Sequence, residues 1–516
     1  MLSLIPEILS LLLDTSYSWV RMLLALAASI VISLAIGIGA ARLKTFGKIV
    51  VPIIDVLQTL PILAFFPFAI YVVVFILPGI IGINAAVISL IITSMLWNMI
   101  FGVYEAIKTL PVELVEMTKL YGLGTFERLK KLYIPASLPR LSEQLSLSWA
   151  IGLFYLVTSE IFSTGNANYS VQGIGVDLAR LGTNGNFLYY GIALAIFIGF
   201  VVITRLTLFS AFDKMANRYS LVGYDTKKHK SRFNIGYRID HSITLHKLKQ
   251  EYIGIKTSIG SSVSRHKRFL RRFGYLIAGI VITSVAFLIY SNTNPNALSQ
   301  LGSYEWIAIT SLAASFLRVW GAFLLVLVVA IPISVYVVFM TKRKNSYLLG
   351  FQILASIPAT VLLPIMVFEL RNNGEAVAFM VYFLSGVWYV IFSIIASTKY
   401  VKLNIDEVRR VFRVKGSIAW RKIYLLAILP GLITGAVTAI AAEWNASIIA
   451  EYFISNSTGA VLTSVGTGIG KLLDTALYSG NLYLMLIALI NMTAMIIIFN
   501  IVVWRRLYDK VTAVYT

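Results

Sequence analysis

The sequence predicts an all-α, polytopic membrane protein built from two parallel repeats of about five transmembrane helices, with one extra span between them. Three observations lead to this fold class: the composition, the positions of the basic residues and an internal duplication. Of the 516 residues, 58% are hydrophobic and only 13% are charged, whereas about a quarter of an average soluble domain is charged. The chain contains no cysteine, which excludes disulfides, thiol catalysis and cysteine-based zinc sites.

Eleven apolar stretches approach the length of about 20 residues that a helix needs to cross a bilayer. The second and eighth contain the proline pairs Pro61/Pro67 and Pro358/Pro364, so we expect these two helices to be kinked or broken, which a membrane bundle tolerates. The eleven stretches are 18–41, 49–76, 83–106, 140–161, 187–209, 273–290, 315–341, 348–370, 376–399, 428–449 and 482–504.

The basic residues predict the orientation. The chain carries a formal net charge of +21, from 44 Lys and Arg against 23 Asp and Glu. Loops on the cytoplasmic side of a membrane are enriched in Lys and Arg. Of the 44, 37 lie in six regions that alternate with nearly uncharged loops: 42–48, 107–139, 210–272, 342–347, 399–423 and the C-terminal tail. We therefore expect the N-terminus outside and the C-terminus in the cytoplasm of a cell (plasma or inner) membrane, and we assign the positive charge to a membrane surface rather than to nucleic acid.

The first thirteen residues form a short apolar segment that lacks a basic leader and is a poor signal peptide. We expect them to form an interfacial helix on the outer surface.

The chain is internally duplicated. Residues 18–76 recur 297 positions later, residues 94–162 recur 291 positions later, and a "GIG" triplet recurs with an offset of 295. Matched residues include Ser18/Ser315, Arg21/Arg318, Trp97/Trp388 and Glu160/Glu451. Because each copy has five spans, the extra span near 273–290 is what keeps the copies parallel. The predicted domains are a first repeat at 1–209, a basic linker with the extra span at 210–290, and a second repeat at 291–516.

One predicted cytoplasmic connection in each copy is long and polar. In the first copy, residues 113–139 place Leu114, Met117 and Leu120 at helical spacing between charged residues. Gly122 and Gly124 can end or bend this helix, and Thr125 is a candidate cap for a second one. The order predicts a helix at the membrane surface, a turn, and re-entry into the bilayer.

This connection resembles the "EAA" signature of the membrane subunits of binding-protein-dependent ABC importers, with Glu116, Gly122 and Pro135 at the spacing of that signature. In the second copy Glu407 is kept, but Arg413 replaces the glycine and Leu426 replaces the proline. The segments "AEWNASIIAEYF" at 442–453 and "LRVWGAFLLVLVVAIPISV" at 317–335 are also similar to fused permeases of the nitrate/taurine/sulfonate branch. The resemblance covers most of the chain outside the N-terminal segment and the linker.

The resemblance implies a type I importer permease fold and a function. Each connection would form a coupling helix that docks on a cytoplasmic ATPase subunit. Two such ATPases would bind ATP and Mg²⁺, an external solute-binding protein would deliver a small solute or anion, and this chain would need no cofactor. The ATPase-coupling residues implied are Glu116, Gly122, Gly124 and Pro135 in the first copy and Glu407, Arg413, Gly416 and Pro430 in the second. The alternative for each helix is that it lies on the lipid surface.

Several polar residues within the spans are candidates for the pathway or gate, since carboxylates in membranes are costly and often functional. Glu160 and Glu451 are repeat-matched; we interpret them as a gate or docking site, or as hydrated carboxylates at the interface. Glu443 and Asn445 either line the pathway or form hydrogen bonds between helices. Asp55 also qualifies by its depth in the sequence. The repeat-matched residues Ser94, Trp97, Ser385 and Trp388 either face the cavity or pack between the halves.

Other functional classes have less support. The "GTGIGK" sequence at 466–471 lacks the first glycine and the Ser/Thr of a phosphate loop, and its glycines are expected to form tight turns. All four histidines lie in the basic linker, so no metal site is predicted. An ion-coupled secondary transporter remains the alternative function; it would work without an ATPase. A membrane-embedded enzyme would need a catalytic cluster inside the spans, and no HExxH or GxSxG motif occurs there.

Overall fold

The computed structural model describes residues 4–58, 79–164, 171–219, 295–341, 343–370, 373–397, 416–454 and 461–499, with a few isolated residues near 62–77 and 502–507. Residues 1–219 and 303–516 form one compact unit, and 220–302 form a second. The extra span predicted at 273–290, most of the stretch 49–76, and the residues Glu407 and Arg413 lie outside the described residues.

The described part of the chain is almost entirely helical. In the first copy the helices are α1 (Leu4–Arg42), α2 (Lys44–Leu57), α3 (Ile80–Lys108), α4 (Val112–Leu120), α5 (Thr125–Arg128), α6 (Ile134–Thr164), α7 (Ile174–Thr183), α8 (Phe187–Thr204) and α9 (Ser210–Asn217). In the second they are α10 (Pro295–Val335), α11 (Lys344–Ala355), α12 (Ala359–Glu369), α13 (Gly374–Ser397), α14 (Gly416–Ala419), α15 (Leu425–Ala450), α16 (Ile469–Tyr478) and α17 (Leu482–Phe499). Short π-helical segments join α5 to α6, α8 to α9 and α14 to α15, and another extends α10.

Nine of the eleven predicted spans coincide with described apolar helices. Six helices are long and apolar enough to cross a membrane by themselves. The pair α11/α12 adds a seventh span that bends by 75°, and the break falls immediately before Pro358, as expected for the eighth stretch. Pro364 is accommodated inside α12. Shorter apolar helices at Leu147–Ile161 and Tyr483–Phe499 match the fourth and eleventh stretches.

The N-terminal segment is continuous with the first predicted span, and its interfacial position stays a prediction. From Leu4 onward it is the first part of α1, a continuous helix of 39 residues. Such a helix is about 58 Å long, nearly twice the thickness of the hydrocarbon core. Leu11 is fully buried, so this first part packs against the protein.

The structure reproduces the duplication in the bounds of its elements. Helices α7 and α16 begin and end 295 positions apart, and so do α8 and α17. The π-helical segments Leu129–Tyr133 and Trp420–Tyr424 are 291 positions apart at both ends. Gly185 and Gly480, again 295 apart, have positive φ angles of 71° and 68° in the turn before the last helix of each copy. The two copies therefore share local conformation as well as sequence.

A small antiparallel ribbon interrupts the helical architecture. Strands β1 (Tyr452–Ile454) and β2 (Val461–Ser464) follow α15 and pair with an irregular register after Phe453. This ribbon was not predicted, because three or four residues carry too little periodicity to indicate a strand.

The core of each copy is a packed helix set. Helices α1, α3 and α6 pack together in the first copy, and α13 packs along α15 in the second. The two copies meet where α8 lies beside the broken span. The rings of Phe187 and Phe368 are tilted by 56° with centroids 4.6 Å apart. The Tyr190 hydroxyl donates a hydrogen bond to the Val361 carbonyl, and Arg205 donates to Gln352 at 3.1 Å.

Candidate functional sites

The connection between α3 and α6 carries an exposed apolar surface. None of the residues of α4 is buried. Leu120 is 85% exposed, and Tyr121 and Phe126 are 77% and 75% exposed. Glu116 lies on the same exposed helix, and Pro135 lies in the first turn of α6. Contiguous exposed apolar side chains with a charged rim are typical of a surface that a partner covers.

The turn after α4 depends on Gly122. Its φ angle is 67°, a conformation that costs other L-residues about 1–2 kcal/mol. The Leu123 N–H donates to the Thr118 carbonyl at 3.0 Å, and the Gly122 N–H donates to the Lys119 carbonyl at 3.0 Å. This pair of hydrogen bonds is a Schellman motif. The helix end predicted at Gly122 is therefore confirmed as local structure.

The cap of the next helix lies one residue earlier than predicted. Gly124, not Thr125, occupies the N-cap position of α5. The Gly124 N–H donates to the Glu127 carboxylate at 3.2 Å, and Lys131 lies 3.1 Å from the other carboxylate oxygen. The Lys131 side chain and the Gly124 amide lower the pKa of Glu127 below its ordinary value. A glycine serves here because Glu127 supplies the capping hydrogen bond from within the helix.

In the second copy the corresponding connection is described only from Gly416. Gly416 has a φ angle of 62° and lies 291 positions after Thr125, whereas Gly122 corresponds to Arg413. The left-handed glycine is thus displaced by three residues between the copies. Pro430 lies inside α15, as Pro139 lies inside α6.

Glu160 is the centre of a fully buried hydrogen-bonded cluster. Its carboxylate accepts hydrogen bonds from Ser18 Oγ at 2.7 Å, Arg21 Nη1 at 2.6 Å and the Gly175 N–H at 2.8 Å. Ser18 Oγ in turn accepts from the Ile174 N–H at 3.0 Å. The carboxylate therefore lies at the N-terminus of α7, where the helix dipole favours negative charge. We call Ser18, Arg21, Glu160 and Gly175 the Glu160 cluster.

The second copy contains the same arrangement, which we call the Glu451 cluster. The Glu451 carboxylate accepts from Ser315 Oγ at 2.6 Å, Arg318 Nη1 at 3.3 Å and the Gly470 N–H at 2.8 Å. It also accepts from Tyr382 Oη at 2.8 Å. All four members of the first cluster thus recur, and they join α10, α15 and α16 as the first cluster joins α1, α6 and α7.

These clusters change the interpretation of Glu160 and Glu451. Both are 0% exposed, so the interpretation as hydrated carboxylates at the interface is wrong. A Cβ atom added at Gly173 would overlap the Glu160 carboxylate, and one added at Gly468 would overlap that of Glu451. The "GIG" glycines therefore do more than form turns, because they bring backbone against a buried acid. Their role was detectable in the repeat-matched Ser, Arg, Glu and Gly positions.

The two clusters differ in charge. Arg21 donates from Nε to Asn84 at 2.7 Å, whereas Arg318 makes a two-pronged ion pair with Glu375. Glu375 occupies the position that corresponds to Asn84. The positive charge of Lys471 interacts favourably with this additional carboxylate. The first copy has Val176 at the position of Lys471.

Glu443 is buried without a hydrogen-bond partner among the described residues. It is 0% exposed, and neither carboxylate oxygen is bonded there. Asn445 donates from Nδ2 to the Ala441 carbonyl of its own helix at 2.9 Å, and its Oδ1 has no described partner. Among the described residues neither side chain forms a hydrogen bond to another helix, and their role in the pathway or in helix packing stays a prediction.

The remaining predicted residues are placed within helices. Ser94 and Ser385 donate hydrogen bonds back to carbonyls of their own helices at 2.7 and 2.8 Å. The Trp388 ring lies 6.0 Å from that of Phe351, and the Trp97 indole N–H has no partner in the described part of the chain. Their role in a pathway stays a prediction, and Asp55 lies in α2. No group of three or more metal-ligating side chains occurs among the described residues.

The apolar helices long enough to cross a membrane define a multi-pass membrane protein, and α4 and α5 form an exposed connection between two of its helices. Residues 30–218 match the family described as "Binding-protein-dependent transport system inner membrane component". This segment is therefore similar to that family of permeases, as the spacing of Glu116, Gly122 and Pro135 predicts.

Relatives of this family are similar to part of the chain. The glycine betaine transport system permease protein OpuAB of Bacillus subtilis is 30% identical over 185 residues, which cover 32% of this chain and 62% of that protein. The bicarbonate transport system permease protein CmpB of Synechococcus elongatus is 29% identical over 28% of this chain and 52% of its own length. The nitrate import permease protein NrtB of Leptolyngbya laminosa is 26% identical over 33% of this chain and 57% of its own. The chain thus spans less than two thirds of each of these relatives.

Proposed function

We propose that this chain forms both membrane halves of an ABC importer in the cell membrane and couples them to two cytoplasmic ATPase subunits. The observation that carries this proposal is the exposed surface of the α4–α5 connection. Leu120 ends α4, Tyr121 directly follows it and Phe126 lies in α5; all three are exposed, and the Gly122 turn lies between the two short helices. A helix of this kind fits a groove on a partner, with Glu116 as a charged contact at its side.

The ATPases supply the ATP and Mg²⁺ sites, and an external solute-binding protein delivers the substrate. The "GTGIGK" segment makes hydrogen bonds within the protein instead of forming a phosphate loop. The Gly470 N–H donates to Glu451, and Lys471 Nζ donates to the Val465 carbonyl at 2.8 Å. The second connection couples through Glu407, Arg413 and Gly416. Because its left-handed glycine is displaced, it contacts its ATPase with different geometry.

Native mass spectrometry of the chain expressed with its ATPase tests the coupling. We expect one copy of this chain with two ATPase subunits. Glu116→Lys and Leu120→Asp should each weaken association about tenfold, a change of about 1.4 kcal/mol. Lys214→Glu reverses an exposed charge on α9 outside the connection and should leave association unchanged.

Two results would overturn this proposal. If the chain runs without an ATPase even after crosslinking, an ion-coupled secondary transporter becomes the better account. If the ATPases bind but the α4 variants have no effect, α4 lies on lipid and the coupling surface is elsewhere.

We infer that the substrate is a small solute or anion, since relatives are named for nitrate, bicarbonate and glycine betaine. Uptake of these three solutes, together with taurine and a sulfonate, into proteoliposomes that contain the ATPase and the binding protein tests this class. Uptake of none of them with an active ATPase would exclude it.

The proposed orientation can be tested directly because the chain contains no cysteine. Single cysteines at Tyr121 and at Thr467 should react with a membrane-impermeant thiol reagent from the cytoplasmic and external sides, respectively. Labelling of both from one side would contradict the parallel arrangement of the repeats and the extra span.

A further inference from the structure

Glu443 is an acid within an apolar helix. It takes no part in the proposed coupling or in either carboxylate cluster. It lies on α15, one of the two tightly packed helices of the second copy. Both carboxylate oxygens are buried and unbonded among the described residues. The side chain is out of contact with bulk solvent, and burial of a carboxylate without a paired cation favours its protonated form.

The second copy is shaped to hold this side chain. In the first copy the matched positions are Gly152 and Met95; a Cβ atom at Gly152 would lie 3.0 Å from the Met95 sulfur. In the second copy the sizes are exchanged: Glu443 replaces the glycine, and Gly386 replaces the methionine. A Cβ atom at Gly386 would overlap the Glu443 carboxylate. The carboxyl group therefore fills the volume that a thioether fills in the other copy.

The charged groups around α15 leave Glu443 without a counter-ion in the described structure. On α10, Arg318 is engaged with Glu375 and Glu451. On α13, Tyr382 donates its hydroxyl to Glu451. The other acids on the surrounding elements, Glu451 itself and Asp474 on α16, carry the same sign of charge as an ionised Glu443. Lys471, also on α16, donates to the Val465 and Gly466 carbonyls.

We propose that Glu443 is a proton-binding site inside the membrane bundle. Its carboxyl group carries the proton while α13 and α15 are packed together, and it releases the proton to water when unfolding exposes it. The stability of the folded second copy is therefore linked to pH and is greatest at low pH. This inference goes beyond the proposed transport function and does not depend on it.

Infrared difference spectroscopy of the full chain in lipid nanodiscs tests the proposal. The spectrum of the wild type minus that of Glu443→Gln, recorded at neutral pH, should show the C=O stretch of a protonated carboxylic acid. Glu369→Gln, which removes an exposed carboxylate on α12, should leave this band unchanged. If the difference spectrum shows only ionised carboxylate bands, Glu443 is deprotonated and the proposal fails.

A second variant tests the proposal if Glu443→Gln does not fold. Glu443→Gly combined with Gly386→Met copies the packing of the first repeat and removes the acid without opening a cavity. The thermal midpoint of the wild type should fall more steeply with rising pH than that of either variant, because the unfolded chain releases the proton at lower pH than the folded chain. Parallel pH profiles for all three proteins would overturn the proposal.

Discussion

Arg21 Nη1 lies 2.6 Å from Glu160 Oε1, and both side chains are almost completely buried. This ion pair joins α1 to α6, and the Gly175 N–H brings the start of α7 to the same carboxylate. The first helix is thus joined to two consecutive helices, α6 and α7, at one carboxylate. The same connection recurs at Arg318 and Glu451 in the second copy.

Removing one partner of the Arg21–Glu160 pair should be strongly destabilising. We expect Arg21→Met or Glu160→Gln to lower the free energy of unfolding by about 3–5 kcal/mol, because each leaves a buried group without its partner. The double variant should lose less than the sum of the two. Unfolding in mixed micelles measures this cycle.

The exposed pair Arg140–Glu143, at 3.1 Å, is the matched control. Its removal should change the free energy of unfolding by no more than about 1 kcal/mol. Equal effects for the two pairs, or strict additivity at Arg21 and Glu160, would mean that the buried pair does not hold the helices together.

A glutamate introduced beside the Glu160 cluster should need a lysine like Lys471 to be tolerated. Asn84→Glu copies Glu375 into the first cluster, where Val176 stands in place of the lysine. We expect this variant to be destabilised by about 1 kcal/mol, as for a partly exposed charge. Adding Val176→Lys should restore most of the loss. The thermal midpoints of the single and double variants measure this effect. If the lysine does not restore stability, the substitutions at Glu375 and Lys471 in the second copy are unrelated.

Gly122 should be sensitive to alanine and Gly124 insensitive. Gly122→Ala places a Cβ at a φ angle of 67°, at a cost of about 1–2 kcal/mol. The amide of Leu123, which binds the Thr118 carbonyl, should therefore exchange with solvent about tenfold faster, the change that about 1.4 kcal/mol produces. Gly124 has an ordinary φ of −65° and open space at its Cβ, so Gly124→Ala is the control. Equal exchange rates in the two variants would exclude the turn as the determinant.

The helix α7 should loosen from α1 as pH rises. Burial and the neighbouring Asp14 carboxyl raise the pKa of Asp177 from its ordinary 3.8 to about 7. Since the folded chain binds this proton more tightly than the unfolded one, the stability it confers is complete below about pH 4 and is lost as pH rises through about 7. The thermal midpoint should fall over that interval.

Asp177→Asn should flatten this pH dependence, and Asp14→Asn should reduce it by removing the like charge. Arg180, which donates to Asp177 at 3.0 Å, is kept in both variants. An unchanged slope in both would assign the pH dependence to other acids.

The sequence alone determined the helical, membrane-spanning class, the duplication and the recognisable connection at Glu116, Gly122 and Pro135. These features are local or periodic. Apolar length indicates a span because lipid offers the backbone no hydrogen-bond partners, and a fixed offset reveals a repeat without any knowledge of packing. The break at Pro358 was predictable for the same reason, since proline disturbs its own helix.

Only the tertiary structure decided what the buried acids do. Glu160 and Glu443 both appear in the sequence as carboxylates in apolar segments. The first is bound by Arg21, Ser18 and a backbone amide that is 15 residues away along the chain, while the second faces Gly386 without a described partner. Whether a buried charge is paired depends on which helices pack side by side, and that is a property of three-dimensional packing rather than of local sequence.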